Sequence, residues 1–473
     1  MFAAFSALSA RGRGAARLAA ATLASGLAAA TVLAGTAAAA PAADTAAPSQ
    51  GGATATIGGL KTYGGAVVHT DSGDQEISAG LFEMSVDGGG MLQTYCVDIH
   101  NPTQRDAKYH ETPWSGTSLG ANPDAGKIRW ILQNSYPQVN DLAALAAKAG
   151  FKGGLTEQDA AAGTQVAIWR YSDGVEVDAV DPQAEKLADY LEKSARGVAE
   201  PEASLTLEPP AVSGHAGERL GPVTVRTDAD GVTLTPPADA ATSGVRIVDK
   251  DGKVVTTAAN GAQVFFDVPD DAADGQAELT VQASTTVPVG RAFAAESRSQ
   301  TQILAGSSES TVSATASATW AESGAIPALS AAENCDKGGV DITASNEGDA
   351  PFTFELLGIE YSIAAGESRT VTVPLQEDQA YDFTIEGPGF EKRFTGVLDC
   401  MTQAGEADAA GTVTQTLDEP SPATVGSASD DTNLAATGGS SMTPLIAGVA
   451  IGFVVLGGAA LVIVRKREAS AQD

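Results

Sequence analysis

A glutamine on an otherwise apolar helix face sets the strongest constraint on how this chain can fold. Leu155 to Gly174 reads as one helix, with Thr156 as N-cap and Asp159, three residues on, as the capping-box acid. At helical spacing Ala161, Gln165, Ile168 and Trp169 share one face, which Ser172 completes. A carboxamide turned into a core costs about 1–3 kcal/mol when nothing satisfies it. Gln165 therefore needs a partner, and the candidate is Cys96 in Tyr95-Cys96-Val97-Asp98.

The two ends of the chain say where it works. Arg11, Arg13 and Arg17 precede an Ala/Leu-rich run and then small residues, so residues 1–43 read as a signal peptide cleaved within 38–43. Residues 44–56, rich in Ala, Gly and Thr, read as a flexible lead-in. At the other end, the apolar run 444–464 is long enough to span a bilayer. The basic tail 465–473, opening with Arg465-Lys466-Arg467, stays in the cytoplasm by the positive-inside tendency. Residues 402–433 have no aromatic, Lys or Arg and read as a disordered acidic linker, spanning roughly 30 Å as a coil.

Export makes the cysteines informative. The chain has Cys 3, an odd number in an oxidising compartment. Cys335 and Cys400 bracket the last β-rich stretch and are expected to pair, which stabilises by roughly 4 kcal/mol in the chain-entropy account. Cys96 is then alone: either buried and inert, or with its sulfur engaged. A thioester between the Cys96 sulfur and the Gln165 acyl group would resolve the odd thiol and the inward amide with one bond.

Taken together, Tyr95-Cys96 and Thr164-Gln165-Val166-Ala167-Ile168-Trp169 resemble the bacterial thioester (TQXA) domains of Gram-positive surface adhesins, over roughly residues 57–200. In that family the two motifs supply the ends of an internal Cys–Gln thioester. The resemblance implies that Cys96 and Gln165 condense with loss of ammonia, and that an amine on a surface protein or polymer later displaces the sulfur to leave an isopeptide bond. Tyr95 and Trp169, beside or one turn from these groups, would shield them from water. Each molecule reacts once, so the expectation is self-modification rather than an enzyme. Leu434-Ala435-Ala436-Thr437-Gly438, ahead of the apolar run and basic tail, resembles a sortase sorting signal of the type read by class E sortases of high-GC Gram-positive bacteria. It implies cleavage between Thr437 and Gly438 and attachment of Thr437 to peptidoglycan at the cell surface.

The expected fold is multidomain. Residues 57–200 read as an α+β domain. Ala66–His69 is one strand, and a hairpin of Leu81–Val86 and Met91–Ile99 flanks Asp87-Gly88-Gly89-Gly90. Helices follow at Ala125–Ser135, at Asp141–Lys148 capped by Asn140, around Gln165, and from Asp181-Pro182 to Ser194. Two β-sandwich domains of Ig-like type come next, 201–330 and 331–401. The first is read from strands at Leu205–Leu207 through Leu279–Val281 and Ile303-Leu304.

A formal charge of −31 excludes nucleic acid as a partner and keeps an exported chain soluble. Two rival readings remain. Cys96 with His100, His110 and Asp98 could be written as a cysteine-enzyme site, and a noncovalent stalk could carry Cys96 as a structural residue. Four His and one spare Cys show no metal-ligand spacing, so no metal or cofactor is expected. Lys250 and Lys253 flank a glycine turn, so no internal isopeptide is expected there.

Overall fold

The computed structural model of the protein describes residues 45–46, 51–387 and 390–401. The expected signal peptide (1–43), the expected linker 402–433, Thr437 and Gly438 of the expected sorting motif, the apolar run 444–464 and the tail 465–473 lie outside the described residues. Among the described residues, no helix is long and apolar enough to cross a membrane.

The N-terminal unit is built on a seven-stranded sheet. Its order is Gly73–Val86, Met91–Cys96, Gln302–Ser307, Ala292–Ala295, Lys108–Thr112, Thr54–Thr70, Val177–Ala179. Thr54–Thr70 also pairs along its length with Gly73–Val86, so six of the strands close on themselves and lose their free edges. The expected hairpin is present: Ser85 lies opposite Met91, and Val86 N–H donates to Gly90 O across the glycine turn.

Two readings of this region change. Ala66–His69 is the end of a 17-residue strand, Thr54–Thr70, whose glycine pairs look like interruptions in the sequence. The flexible lead-in is also ordered from residue 51: Ala53 and Ala55 are buried, and Gly52 bridges Ser313. Small side chains lack apolar bulk, yet they fit where chains approach closely. A Cβ on Gly52, at φ 112°, would meet Glu111 Oε2 at 2.5 Å.

Helices Ala125–Asn134, Leu142–Lys148, Glu157–Ser172 and Pro182–Ser194 lie where the sequence places them. Asp141, rather than Asn140, caps the second, its side chain accepting from Ala144 N–H. Thr156 and Asp159 close the capping box of the third. That third helix packs against strands Thr54–Thr70 and Gly73–Val86 and against two neighbouring helices. It is consequently buried all round from Ala160 to Trp169, not on one face alone.

After Pro201 the chain forms two sheets that pack on each other. Five strands run in the order Thr257–Ala258, Val232–Thr235, Gly275–Thr286, Glu309–Ala321, Ala211–His215, and four in the order Arg246–Asp249, Gln263–Asp267, Arg219–Thr227, Leu205–Glu208. Ile303-Leu304 do not belong to these sheets. They pair with Tyr95 and Thr94, while Ala292–Ala295 pair with Lys108–Thr112. Alternating apolar residues announce a strand but not its partner, so the sequence pattern alone assigns 292–307 to the nearer unit. Lys250 and Lys253 are exposed, and Lys250 pairs with Asp251.

The last unit starts at Pro327 rather than after 330. Its sheets carry Pro327–Asn334 with Gly339–Asn346 and Glu367–Pro374, the hairpin Phe352–Leu356/Ile359–Ile363, and Ala380–Gly387 with Phe390–Val397. It has its own core around Val340, Ile342, Phe352, Phe354 and Ile385. The Cys335–Cys400 disulfide closes it.

Candidate functional site

Cys96 is the last residue of its strand, and the register sets Ile303 opposite Tyr95 and Gln302 opposite Cys96. Its main chain is turned toward the helix layer. Cys96 N–H donates to Gln165 Oε1 at 3.0 Å, and Gln165 Nε2 donates to Cys96 O at 2.8 Å. The carboxamide thus bonds as a strand neighbour would, which satisfies the inward amide. Both residues are 0% exposed. The structure therefore brings together the two residues that sequence reasoning paired, although the amide's partner is the Cys96 main chain rather than its sulfur. The sulfur donates to Asp98 O at 2.9 Å and accepts from Asp98 N–H at 3.2 Å.

Burial pushes the Cys96 thiol well above its ordinary value, and the carboxyls of Asp98 and Asp173 push the same way. The Asp98 main-chain N–H and the Trp169 indole act in the opposite direction. Asp98 is itself raised well above the usual carboxylate range by burial and by Asp173, while three donors from His100 and Asn101 hold its oxygens. Burial lifts Asp173 to about 7, with Ile99 N–H and the Ser172 hydroxyl as donors. The outcome is a dry, acid-flanked thiol held in its neutral form.

Tyr95 and Trp169 are both fully buried, but they stand in different places. The Tyr95 hydroxyl donates to Tyr136 O at 2.9 Å and sits next to Thr164, whose own hydroxyl bonds Ala160 O and Ser135 Oγ at 2.6 Å. Tyr95 therefore braces the helix one residue before Gln165. Trp169 lies at the sulfur, and its Nε1 has no hydrogen-bond partner among the described residues.

His100 and His110, the candidates for a cysteine–histidine pair, are placed as follows. The His100 main-chain N–H donates to Asp98 Oδ1. The His110 ring bonds Thr54 Oγ1 and Glu296. Cys335 and Cys400 are joined, and Cys96 is the buried free cysteine.

Sequence reasoning missed three contributors. Asp173 caps the C-terminus of the Gln165 helix, where an acid opposes the helix dipole; that mismatch was a readable signal. Gln302 arrives from beyond the two sheets that follow residue 201 and accepts from Thr94 Oγ1 at 2.9 Å. Asp399, from the last unit, accepts from Thr301 Oγ1 at 2.9 Å and is raised by burial and then by Asp98. Nothing in the sequence marks these last two. Glu377, Asp378 and Asp399 bring oxygens within 4.8 Å of one another and are the carboxylates able to approach a common cation, while Glu377 already accepts from Cys400 and Met401 N–H.

A thioester-domain family model matches residues 93–197, a span holding both Cys96 and Gln165. A second model, described as the C-terminal domain of bacterial phospholipase C, matches residues 323–397. Among solved structures the chain is similar to the Bacillus anthracis TIE protein, at 16% identity over 67% of this chain and 63% of that one, with a TM-score of 0.26. It is similar to the thioester domain of the Enterococcus faecium TIE86 protein, at 15% identity over 59% of this chain and 99% of that one, with a TM-score of 0.27. The E. coli chaperone DraB is a further match, at 13% identity over 41% of this chain and 98% of that one, with a TM-score of 0.18. The chain thus spans 63% of the length of the B. anthracis protein. No curated protein matches it.

Proposed function

We propose that this thioester-domain chain is a surface adhesin in which a Cys96–Gln165 thioester captures an amine-bearing surface protein or polymer covalently. The observation that supports this most directly is the pair of reciprocal hydrogen bonds, 3.0 and 2.8 Å, between the Gln165 carboxamide and Cys96 in a site with no exposed surface. A carboxamide is a weak electrophile, and preorganisation with water excluded is what such an acyl transfer requires. The Cys96 sulfur attacks the Gln165 side-chain carbon, the thiol proton passes to the departing nitrogen, and ammonia leaves. A partner amine then attacks the same carbon and expels the sulfur. Each chain acts once. The sorting-signal pattern around Thr437-Gly438 fits anchoring to peptidoglycan by a class E-type sortase, and hence a cell-surface location.

A buried thiol held in its neutral form also fits a second reading, a noncovalent stalk with a structural cysteine. Mass spectrometry of the mature protein separates the two. The thioester chain is one ammonia lighter than its sequence and takes up methylamine, and Cys96→Ala abolishes both effects. A full-mass chain inert to methylamine refutes covalent capture.

A further inference from the structure

Trp169 poses a question that shielding does not answer. It is 0% exposed, and its Nε1 makes no hydrogen bond among the described residues. A buried donor left unpaired costs about 1–3 kcal/mol. Two other indoles are paired: that of Trp114 donates to Gly290 O at 2.9 Å and that of Trp320 to Ala273 O at 2.8 Å. A phenylalanine at position 169 would give apolar cover without the unpaired group. Trp169 also stands one turn after Gln165 in the helix Glu157–Ser172. Helical side chains lean toward the N-terminus, which carries the indole back over the turn holding Gln165.

We infer that the Trp169 indole N–H is a hydrogen-bond donor reserved for the Cys96 sulfur, stabilising the thiolate that departs when an amine opens the thioester. This role rests on the thioester reading above. As the amine nitrogen bonds to the Gln165 acyl carbon, the carbon–sulfur bond breaks and its electron pair goes onto Sγ. The amine gives up one proton, which ends on the sulfur. The products are a substituted amide at Gln165 and a Cys96 thiol, and the indole keeps its proton throughout. Charge on the sulfur develops in a closed site beside Asp98 and Asp173, both of which oppose it. The Asp98 main-chain N–H and the indole are the donors that act the other way. A donor with no ground-state partner is idle until that charge appears, which is when stabilisation accelerates a reaction.

The test replaces residue 169 in the full chain with β-(3-benzothienyl)alanine, which keeps the ring shape but has sulfur where the N–H was. Trp169→Phe serves as the companion. The expected result is that methylamine addition slows by about tenfold or more with the isostere, within the range seen when one preorganised donor is removed. Addition at the unaltered rate overturns the assignment. A second readout is the indole proton resonance of Trp169, identified by its loss in Trp169→Phe. It should move when methylamine opens the thioester, and an unmoved signal overturns the assignment. If the unaltered chain shows no loss of ammonia, covalent capture fails first. The donor role is then judged by the same resonance in the unaltered chain and in Cys96→Ser, where an unmoved signal rejects it separately.

Discussion

Substituting Cys96→Ser isolates what the proposed Cys96–Gln165 thioester contributes to stability. The hydroxyl can take over the sulfur's hydrogen bonds to Asp98 O and N–H, so the packing changes little. What disappears is the proposed cross-link, between residues 69 apart in sequence. In the chain-entropy account, closing a loop of that size stabilises by about 4 kcal/mol. Part of this is returned, because the variant keeps the Gln165 nitrogen and its hydrogen bond to the residue 96 carbonyl, a bond that thioester formation gives up and that contributes about 1 kcal/mol. The net expected loss is about 3 kcal/mol, or on the order of 10²-fold in the opening equilibrium. A single melting temperature is a poor measure for a chain of several units. Amide hydrogen exchange along Glu157–Ser172 reads the local opening directly. The unaltered protein opened with methylamine should exchange like the variant. Equal protection in the intact protein and in Cys96→Ser would show that no covalent bond joins the two residues.

Three other substitutions test the frame around the site. Gly163→Ala places a Cβ 2.4 Å from Ala184 O in the adjacent helix; the overpacking, about 1–3 kcal/mol, should outweigh the helix-propensity gain of about 1 kcal/mol, lowering the urea midpoint. A raised midpoint would mean that the helices separate freely. Arg291→Met leaves the Glu111 carboxylate, 0% exposed, without its cation 2.9 Å away, and should cost about 3–5 kcal/mol in thermal unfolding. An unchanged transition would show that the Ala53 and Ser204 donors suffice. Asp173 has a folded-state value of about 7 against 3.8. Its neutral form is favoured by folding, so its stabilisation is complete below about pH 4 and is lost as pH rises toward 7. Asp173→Asn should flatten stability between those limits, and an unaltered slope in pH-dependent unfolding would assign the dependence to other groups.

Local chemistry made much of this protein legible. The capping box at Thr156 and Asp159, the Asp181-Pro182 helix start and the glycine turn at 87–90 each depend on residues within four positions of one another, and each forms as read. The Cys96–Gln165 pair was legible for a different reason: a misplaced polar group and an odd cysteine each demand a partner. Partner choice between strands was not legible. Ile303-Leu304 would alternate in the same way in either sheet, and their burial against Tyr95 and Thr94 is decided by tertiary packing. The lead-in failed for a related reason: Ala53 and Ala55 carry little apolar area, so composition reads them as linker although their smallness is what lets strands close over them.

The placement of residues 300–307 changes what counts as the complete site. Thr94 and Gln302, 208 residues apart, are hydrogen-bonded, and Val97 N–H donates to Thr301 O, one residue before the strand that flanks Cys96. Gln300 Nε2 in turn donates to Asn101 O at 2.6 Å, holding the loop that carries Asp98. Cys96 and Gln165 can meet early in synthesis, but the strand that fixes the geometry of Cys96 arrives only after the intervening sheets. The added loop-closure cost is small, about 0.6 kcal/mol per doubling of length, so the arrangement is stable once made. Its consequence is for assembly. A fragment ending at residue 200, as the motif alone would define the domain, leaves Met91–Cys96 with an open edge and its Cys96 loop unbraced. Such a fragment should retain its ammonia while the full chain loses it, as intact mass will show. A fragment 44–200 that sheds ammonia as fully as the whole protein would prove that strand unnecessary to the chemistry.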